Sequence, residues 1–236
     1  MKVATVSVIG RPSSGKSTLV NTICEMKVSI TSPVPQTTRN KIRGIYTDQR
    51  GQLVFTDTPG YHISDKEINK RMQEVTISAL KDSDIILYVL DGTRSAKKEE
   101  EVIADMIKAS KVPVVCAINK EDILTRNNIE DAEFFLSERL PNAPVCICSA
   151  KDDDGIDEIL IELFKLAKEG ELLYSEDQYT DQDLEFRISE IIREKAMENL
   201  ADELPHVIFV DVSDLEYNPE TKHVWIRAFI NVERDG

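Results

Sequence analysis

The segment from Gly10 to Ser17, Gly-Arg-Pro-Ser-Ser-Gly-Lys-Ser, has the spacing of a phosphate-binding loop. Its glycines let the backbone curl so that successive N–H groups point at phosphate oxygens, and the helix that follows adds partial positive charge. Lys16 supplies a full positive charge, and the Ser17 hydroxyl is placed to ligate Mg²⁺. The spacing therefore predicts a site for the phosphates of a nucleoside triphosphate. The residues assigned to it are Gly10, Arg11, Pro12, Ser13, Ser14, Gly15, Lys16, Ser17 and Thr18.

A second motif, Asn-Lys-Glu-Asp at 119–122, directly follows an apolar run that is typical of a buried strand. Loops at the carboxyl ends of parallel strands lie beside the nucleotide crevice. The Asp122 carboxylate can accept hydrogen bonds from both the ring N–H and the amino group of guanine, whereas adenine has an acceptor and no amino group in those places. A mismatched base would leave the carboxylate unpaired, so we expect discrimination of about 10⁴-fold. The residues assigned to the base are Asn119, Lys120 and Asp122, backed by Ser149, Ala150 and Lys151.

A third motif, Asp-Thr-Pro-Gly at 57–60, follows another apolar run. The Asp57 carboxylate can hold Mg²⁺ through water, and Gly60 offers a backbone N–H to the γ-phosphate. Residues 32–43 have no helical or strand period and carry Thr37 and Thr38, either of which can complete the metal shell. This motif adds Asp57, Thr58, Pro59 and Gly60 to the nucleotide site. The assigned metal ligands are Ser17, Thr38 and, through water, Asp57, and the assigned catalytic residues are Lys16, Thr38 and Gly60.

The elements that position these motifs are indicated by short apolar runs alternating with longer amphipathic runs from Val3 to about Ala167. This alternation is typical of an α/β fold with a mostly parallel central sheet and helices on both faces. The predicted strands are Val3–Ile9, Gly44–Thr47, Leu53–Asp57, Ile85–Leu90, Val112–Asn119 and Val145–Ser149. The predicted helices are Lys16–Glu25, Lys66–Lys81, Lys97–Ala109, Ile129–Arg139 and Ile156–Lys168.

The acidic segment 169–182 interrupts this alternation, and we interpret it as a linker between a domain at 1–168 and a smaller one at 183–236. Thr180 and Asp183 have capping-box spacing and precede an apolar stripe at helical spacing that extends to Leu200. Two strand-like runs, Val207–Val212 and Val224–Val232, flank an Asn-Pro turn signal at 218–219. One helix and one hairpin, a partial α+β unit, are therefore expected after the linker.

Composition bounds the class of protein. The 236 residues are 41% hydrophobic and 31% charged, as in an ordinary globular protein. The formal net charge of −14 argues against non-specific nucleic-acid binding, which needs clustered Lys and Arg. No segment approaches the roughly 20 apolar residues of a membrane span, so we expect a cytosolic protein. The cysteines are expected to be reduced and buried, and they are Cys24, Cys116, Cys146 and Cys148.

The order of the motifs resembles that of the translation-factor-related GTPases, and within them the Era family of bacterial ribosome-assembly GTPases. The motifs are Gly-x-x-x-x-Gly-Lys-Ser, Gln-Thr-Thr-Arg at 36–39, Asp-Thr-Pro-Gly, Asn-Lys-x-Asp and Ser-Ala-Lys. Residues 188–195 and Glu203-Leu-Pro are similar to the segment that opens the Era KH domain, so the resemblance covers essentially the whole chain. It implies GTP hydrolysis coupled to binding of small-subunit ribosomal RNA and the immature small ribosomal subunit. It also implies some association with the inner face of the cell membrane, and we expect a monomer.

The loops depart from the family pattern in two places. Ser13 and Ser14 replace an Asn and an apolar residue of the Era-like loop. In related GTPases that Asn helps to bind K⁺ beside the phosphates, so stimulation by K⁺ is left open. Tyr61 stands where Ras-like enzymes have a Gln that orients the attacking water. Because tyrosine has no side-chain amide to orient the water, we expect slow intrinsic hydrolysis of GTP.

The C-terminal part departs further. A KH domain grips nucleotides with a Gly-x-x-Gly loop, and none follows the predicted hairpin. Residues 171–236 hold 6 Lys and Arg against 17 Asp and Glu, a net of −11. We therefore expect a KH-type domain that is truncated and binds RNA poorly.

Two other functions are compatible with parts of the pattern. Tyr61 gives some support to a binding module in which GTP only orders the chain and hydrolysis is negligible. A mainly RNA-binding protein with a vestigial nucleotide site is disfavoured, because the nucleotide motifs are complete. His62 is more simply a solvated loop residue than a catalytic base. Trp225 and Phe229 are assigned to the core of the small domain rather than to a platform that stacks bases.

Overall fold

The computed structural model describes residues 1–32, 37–62, 67–199 and 208–232, with the backbone alone described for 67–73. Several predicted positions lie outside these residues, namely Gln36, the helix ends at Lys66 and Leu200, Glu203 and the strand start at Val207. None of the helices in the described ranges is long and apolar enough to cross a membrane.

Strands and helices alternate along the chain, as the apolar runs predict. The strands are β1 (Lys2–Ile9), β2 (Ile42–Asp48), β3 (Gly51–Asp57), β4 (Ile85–Asp91), β5 (Val114–Asn119), β6 (Val145–Cys148), β7 (Lys168–Glu169), β8 (Ile208–Asn218) and β9 (His223–Val232). The helices are α1 (Lys16–Ile23), α2 (Glu67–Lys81), α3 (Lys98–Ser110), α4 (Arg126–Arg139), α5 (Ile156–Leu166) and α6 (Leu184–Asn199).

Seven strands of the described chain form one mixed sheet, in the order β2-β3-β1-β4-β5-β6, with β7 pairing to β1. The β1–β3, β1–β4, β4–β5 and β5–β6 pairs are parallel. Strand β2 pairs antiparallel with β3, and β7 pairs antiparallel with β1. The predicted α/β fold with a mostly parallel sheet is confirmed. Because the parallel strands run the same way, their carboxyl ends lie along one edge, where the predicted loops emerge.

Apolar side chains on both faces of the sheet explain why its central strands read as continuous apolar runs. Along β4, Ile85, Leu87 and Val89 pack into one core with α1 and α5. The alternate residues Ile86, Tyr88 and Leu90 pack into a second core with α3 and α4. Successive side chains of a strand point to opposite faces, so each face needs its own layer of helices.

Local chemistry shifts some element ends from their predicted positions. A capping box formed by Thr125 and Asn128 starts α4 at Arg126, whereas the apolar pattern predicted Ile129. Strand β5 begins at Val114 rather than Val112, because the intervening proline has no N–H to donate to a neighbouring strand.

The predicted linker lies against the sheet. The Gln52 side-chain oxygen accepts hydrogen bonds from the backbone N–H groups of Leu173 and Tyr174 at 2.9 and 3.0 Å. The predicted capping box is wrong: Asp183 alone caps α6 by accepting from the Phe186 N–H at 2.7 Å. Thr180 instead donates its hydroxyl to the Arg43 carbonyl at 2.8 Å, because it lies beside strand β2.

Strands β8 and β9 follow α6 and form an antiparallel hairpin. Helix α6 and this hairpin are together called the C-terminal elements. The Asn218 side chain accepts from the N–H groups of Glu220 and Thr221, which confirms the predicted turn. The core assignment of Trp225 and Phe229 is wrong, because these residues are 48% and 54% exposed. In the described residues the hairpin is a two-stranded sheet, too small to bury the side chains of both strands.

Candidate functional site

The loop from Gly10 to Ser17 joins β1 to α1 and curls around the Lys16 side chain. Gly15 has φ of 95°, and a Cβ there would lie 2.2 Å from the Asn119 side-chain nitrogen, so both conformation and space require glycine. The Lys16 ammonium donates to the carbonyls of Gly10 and Arg11 at 3.2 and 2.8 Å. Burial lowers the pKa of Lys16 to about 8, although the negative charges of Asp57 and a buried glutamate oppose this shift.

Three predicted metal ligands meet at the start of α1. The Ser17 hydroxyl donates to Asp57 Oδ2 at 2.7 Å and lies 2.9 Å from the Thr38 hydroxyl. Burial raises the pKa of Asp57, and the hydrogen bond from Ser17 and the charge of Lys16 oppose that rise. Its Oδ1 is buried and accepts no hydrogen bond from the residues that the structure describes. Two hydroxyls and a carboxylate with a spare oxygen fit Mg²⁺, which prefers oxygen ligands.

The motif at 57–60 is held against the phosphate loop. A Cβ at Gly60 would lie 2.5 Å from the Pro12 nitrogen, and the Tyr61 N–H donates to the Gly10 carbonyl at 3.0 Å. The Thr58 hydroxyl donates to the Val8 carbonyl at 2.7 Å, and the Pro59 carbonyl accepts from a threonine of α2 at 3.1 Å. Thr58 and Pro59 therefore fix the loop, and Gly60 brings its backbone to the phosphate cleft.

The phosphate cleft itself is lined by both loops and by the chain before Thr38. The lining residues include Pro12, Ser13, Gly15, Lys16, Ser17, Thr18, Ile30, Thr31, Ser32, Thr37, Thr38, Thr58 and Gly60.

Asn119 joins the phosphate loop to the base-binding loops. Its side-chain NH₂ donates to the Ser14 carbonyl at 2.9 Å, and its side-chain oxygen accepts from the Ala150 N–H at 2.9 Å. The residue is 2% exposed. Asn119 was predicted to bind the base, and the structure uses both ends of its amide to hold the two loops together.

Asp122 lies in a short 3-10 turn after β5. The Ser149 hydroxyl donates to its Oδ1 at 3.1 Å, and the ammonium of Lys151, an exposed side chain, lies 3.7 Å from its Oδ2. The structure thus brings Ser149 and Lys151 together with Asp122.

Sequence reasoning missed Asp91, the last residue of β4. Its carboxylate accepts from the Lys120 ammonium at 2.7 Å, which fixes the side chain of the predicted base-binding lysine. Burial opposes ionisation of Asp91, but hydrogen bonds from Lys120 and Thr93 outweigh it and lower the pKa of Asp91. The strand-end rule could have found it, since Asp91 pairs in register with Asn119 at the same sheet edge.

Arg11 was predicted to bind phosphate, but its side chain turns away from the cleft. The guanidinium lies 2.7 Å from Glu99 at the start of α3, and Glu99 also bonds His62. Only the Arg11 carbonyl faces Lys16. His62 is therefore paired with a carboxylate of α3, whereas the sequence predicted a solvated loop residue. The four cysteines are buried free thiols, and burial raises the pKa of Cys24 and Cys116 to about 12.

Comparison with known proteins gives consistent matches. The family described as "50S ribosome-binding GTPase" matches residues 5–120. GTPase Era of Treponema denticola is 44% identical over 100% of this chain and 81% of its own length. GTPase Era of Borrelia garinii subsp. bavariensis is 42% identical with the same coverage.

Solved structures agree over the full length of the chain. Aquifex aeolicus Era, in a variant bound to GDP and AlF₄⁻, is 33% identical with a TM-score of 0.92, covering 100% of this chain and 80% of that protein. The same identity, coverage and TM-score relate this chain to Era in complex with MgGDPNP and nucleotides 1506–1542 of 16S ribosomal RNA.

Proposed function

The chain belongs to the Era family of GTPases, and we propose that its own cleft, between the phosphate loop and Asp122, binds GTP and hydrolyses it to GDP. One observation supports this proposal: Asn119 hydrogen-bonds to both Ser14 and Ala150, so the phosphate-binding and base-binding loops lie next to each other. A nucleotide held at both ends would be read for its phosphates and for its base by one rigid framework.

At the phosphate end we assign the binding of charge to Lys16 and to the backbone N–H groups of the loop. Bound Mg²⁺ would neutralise charge on the phosphate oxygens, and Ser17, Thr38 and Asp57 are the residues that would hold it. Thr38 is favoured over Thr37 because its hydroxyl lies 2.9 Å from Ser17. Gly60 is assigned to the γ-phosphate through its N–H, since its backbone packs directly on Pro12.

We propose that intrinsic hydrolysis is slow. The Tyr61 ring packs against the core between the sheet and α3, and it carries no amide to orient water. Positioning of the attacking water is left to backbone groups, an ion or a partner. Tyr61 also supports the alternative function, a binding module that is ordered by GTP and hydrolyses it to a negligible extent. Ser13 stands where an Asn of related loops helps to hold K⁺. Stimulation by K⁺ is therefore tested by comparing the rate of GTP hydrolysis in KCl and in NaCl.

We propose small-subunit ribosomal RNA and the small ribosomal subunit as partners. Support comes from the Era complex with a 16S ribosomal RNA fragment, which matches this chain along its full length. Residues 171–236 carry a net charge of −11, so these 236 residues are expected to bind RNA weakly. We also propose that the protein is a cytoplasmic monomer with peripheral membrane contact. The proposed domain boundaries are a GTPase domain at 1–168, a linker at 169–182 and a partial KH-type domain at 183–236.

Titration with GDP, ADP and GDPNP, each with and without Mg²⁺, tests the site and the choice of base together. We expect guanine nucleotides to bind at least about 10³-fold more tightly than adenine nucleotides. Equal affinity for GDP and ADP would refute the assignment of the cleft. Phosphate release measured with and without small ribosomal subunits, in KCl and in NaCl, then separates the slow enzyme from the inert binding module.

A further inference from the structure

Helix α6 contacts the chain next to Thr38. The guanidinium of Arg193 donates to the Thr37 carbonyl at 2.8 Å. Its side chain is 4% exposed and is held by Glu190 at 2.6 and 2.7 Å. A buried, paired arginine that donates to a backbone carbonyl has a fixed position, because breaking either contact would leave a buried charge uncompensated.

The neighbouring residue, Glu194, holds the other side of the same segment. Its Oε1 accepts from the Thr31 N–H at 2.8 Å, and its Oε2 pairs with the Lys27 ammonium. The side chain of Glu194 is 2% exposed. Burial opposes its ionisation, but the contacts with Lys27 and the Thr31 N–H outweigh it and lower the pKa of Glu194.

A third contact follows directly after Thr38. The Arg39 guanidinium donates to the Ile208 carbonyl of β8 at 3.0 Å and lies 4.8 Å from the centre of the Phe209 ring. The backbone on both sides of Thr38 is therefore fastened to the C-terminal elements, while the Thr38 hydroxyl points at Ser17 and Asp57.

We propose that Arg193 and Glu194 are positioning residues that hold Thr38 in place as a metal ligand. This inference rests on the proposed function, because it assigns Thr38 to the Mg²⁺ of the bound nucleotide. The C-terminal elements thus complete the nucleotide site. Loops of this kind are ordered by contacts that exist only with the γ-phosphate and its metal, so the effect belongs to the triphosphate state.

The test compares Arg193→Ala, Arg193→Lys and Glu194→Gln with wild type. We expect Arg193→Ala to raise the Mg²⁺ concentration for half-maximal GTP hydrolysis about tenfold, while GDP affinity changes by less than about twofold. Arg193→Lys keeps the charge and should recover part of the effect. Lys195→Ala, on the same helix with its side chain 61% exposed, is the matched control and should behave as wild type.

A double-mutant cycle with Thr38→Ala decides whether Arg193 acts through Thr38. We expect Arg193→Ala to add nothing in the Thr38→Ala background. Additive effects, or equal losses of GDP and GDPNP affinity, would overturn the inference and leave Arg193 a structural residue. If Arg193→Ala does not fold, Arg193→Lys and Glu194→Gln carry the same comparison. A wild-type chain that binds no guanine nucleotide would instead overturn the proposed function.

Discussion

The two ends of the cleft are built differently. At the base end, Asn119 and Asp122 follow β5 directly and bond to Ala150 and Ser149 just after β6, the neighbouring strand. At the phosphate end, Gly60 packs on Pro12 of the loop after β1, whereas the chain next to Thr38 is held from outside the sheet by Arg193 of α6. The base end is therefore held by neighbouring strands of the sheet, whereas Thr38 at the phosphate end depends on contacts with the C-terminal elements.

Because of this difference, we expect nucleotide affinity and the rate of GTP hydrolysis to depend on different residues. Changes at the base end should alter which nucleotide binds and how tightly, in both the diphosphate and triphosphate states. Changes at Thr38 and Gly60, which are assigned to Mg²⁺ and the γ-phosphate, should alter hydrolysis with little effect on GDP affinity.

The largest effect is expected for Asp122→Asn. An amide presents an N–H to the position where guanine has its own amino donor, whereas xanthine has a carbonyl there. Affinity for GDP should fall by about 10³-fold and affinity for XDP should rise above it. Calorimetric titration with both nucleotides measures this. Asp153→Asn makes the same charge change nearby and should alter neither affinity, and a variant that still prefers GDP would break the base-end assignment.

Gly60→Ala should show the opposite pattern. The added Cβ would lie 2.5 Å from the Pro12 nitrogen, so Gly60 must move away from the phosphate loop. We expect the rate of GTP hydrolysis to fall by about 100-fold, because a displacement near 1 Å has that cost, with GDP affinity nearly unchanged. Single-turnover phosphate release gives the rate. At Gly170 an added Cβ meets only an ordinary contact at 3.7 Å, so Gly170→Ala is the control.

Asn119→Ala tests whether the two loops depend on one side chain. Its removal leaves the Ser14 carbonyl and the Ala150 N–H unpaired in a buried site. We expect the free energy of unfolding to drop by about 2 to 3 kcal/mol. Denaturant unfolding with and without GDP measures the change, with the exposed helix variant Asn127→Ala for comparison. Equal stability of the two variants would show that the loops are held by other contacts.

The smallest expected effect is on pH dependence. In the free protein Lys16 has a pKa of about 8, so its ammonium loses its proton at lower pH than an ordinary lysine. Phosphate binds the charged form, so GDP affinity should be highest below pH 8 and about tenfold weaker at pH 9 than at pH 7. Fluorescence titration across this range tests the sign. Lys16→Met should bind weakly without this dependence, and a flat wild-type profile would contradict the lowered pKa.

Local patterns predicted most of the fold and the identity of the loops. Apolar runs located strands β1 to β6 of the large sheet but not β7, whose two residues were predicted as a helix end and the start of the linker. Glycine, lysine and carboxylate spacing located the phosphate and base motifs. Contacts between distant elements carry no such pattern. Nothing near Arg193 in the sequence indicates that it bonds Thr37. The position of Asp91 at the end of β4 places it at the sheet edge, but does not indicate that Lys120 is its partner. The exposure of Trp225 was missed because alternation shows that a strand has two faces without showing what covers them.

The bridge made by Asn119 has a consequence for synthesis of the chain. Its partners Ser14 and Ala150 lie 105 positions before it and 31 after it. During translation the amino-terminal segment leaves the ribosome first, long before the final strand of the large sheet. A nascent chain that ends before Ala150 therefore contains every residue of the phosphate loop. It lacks the hydrogen bond from the Ala150 N–H to Asn119, through which the phosphate loop is linked to the base-binding loop. Nucleotide capture by such intermediates should begin only after that residue has emerged.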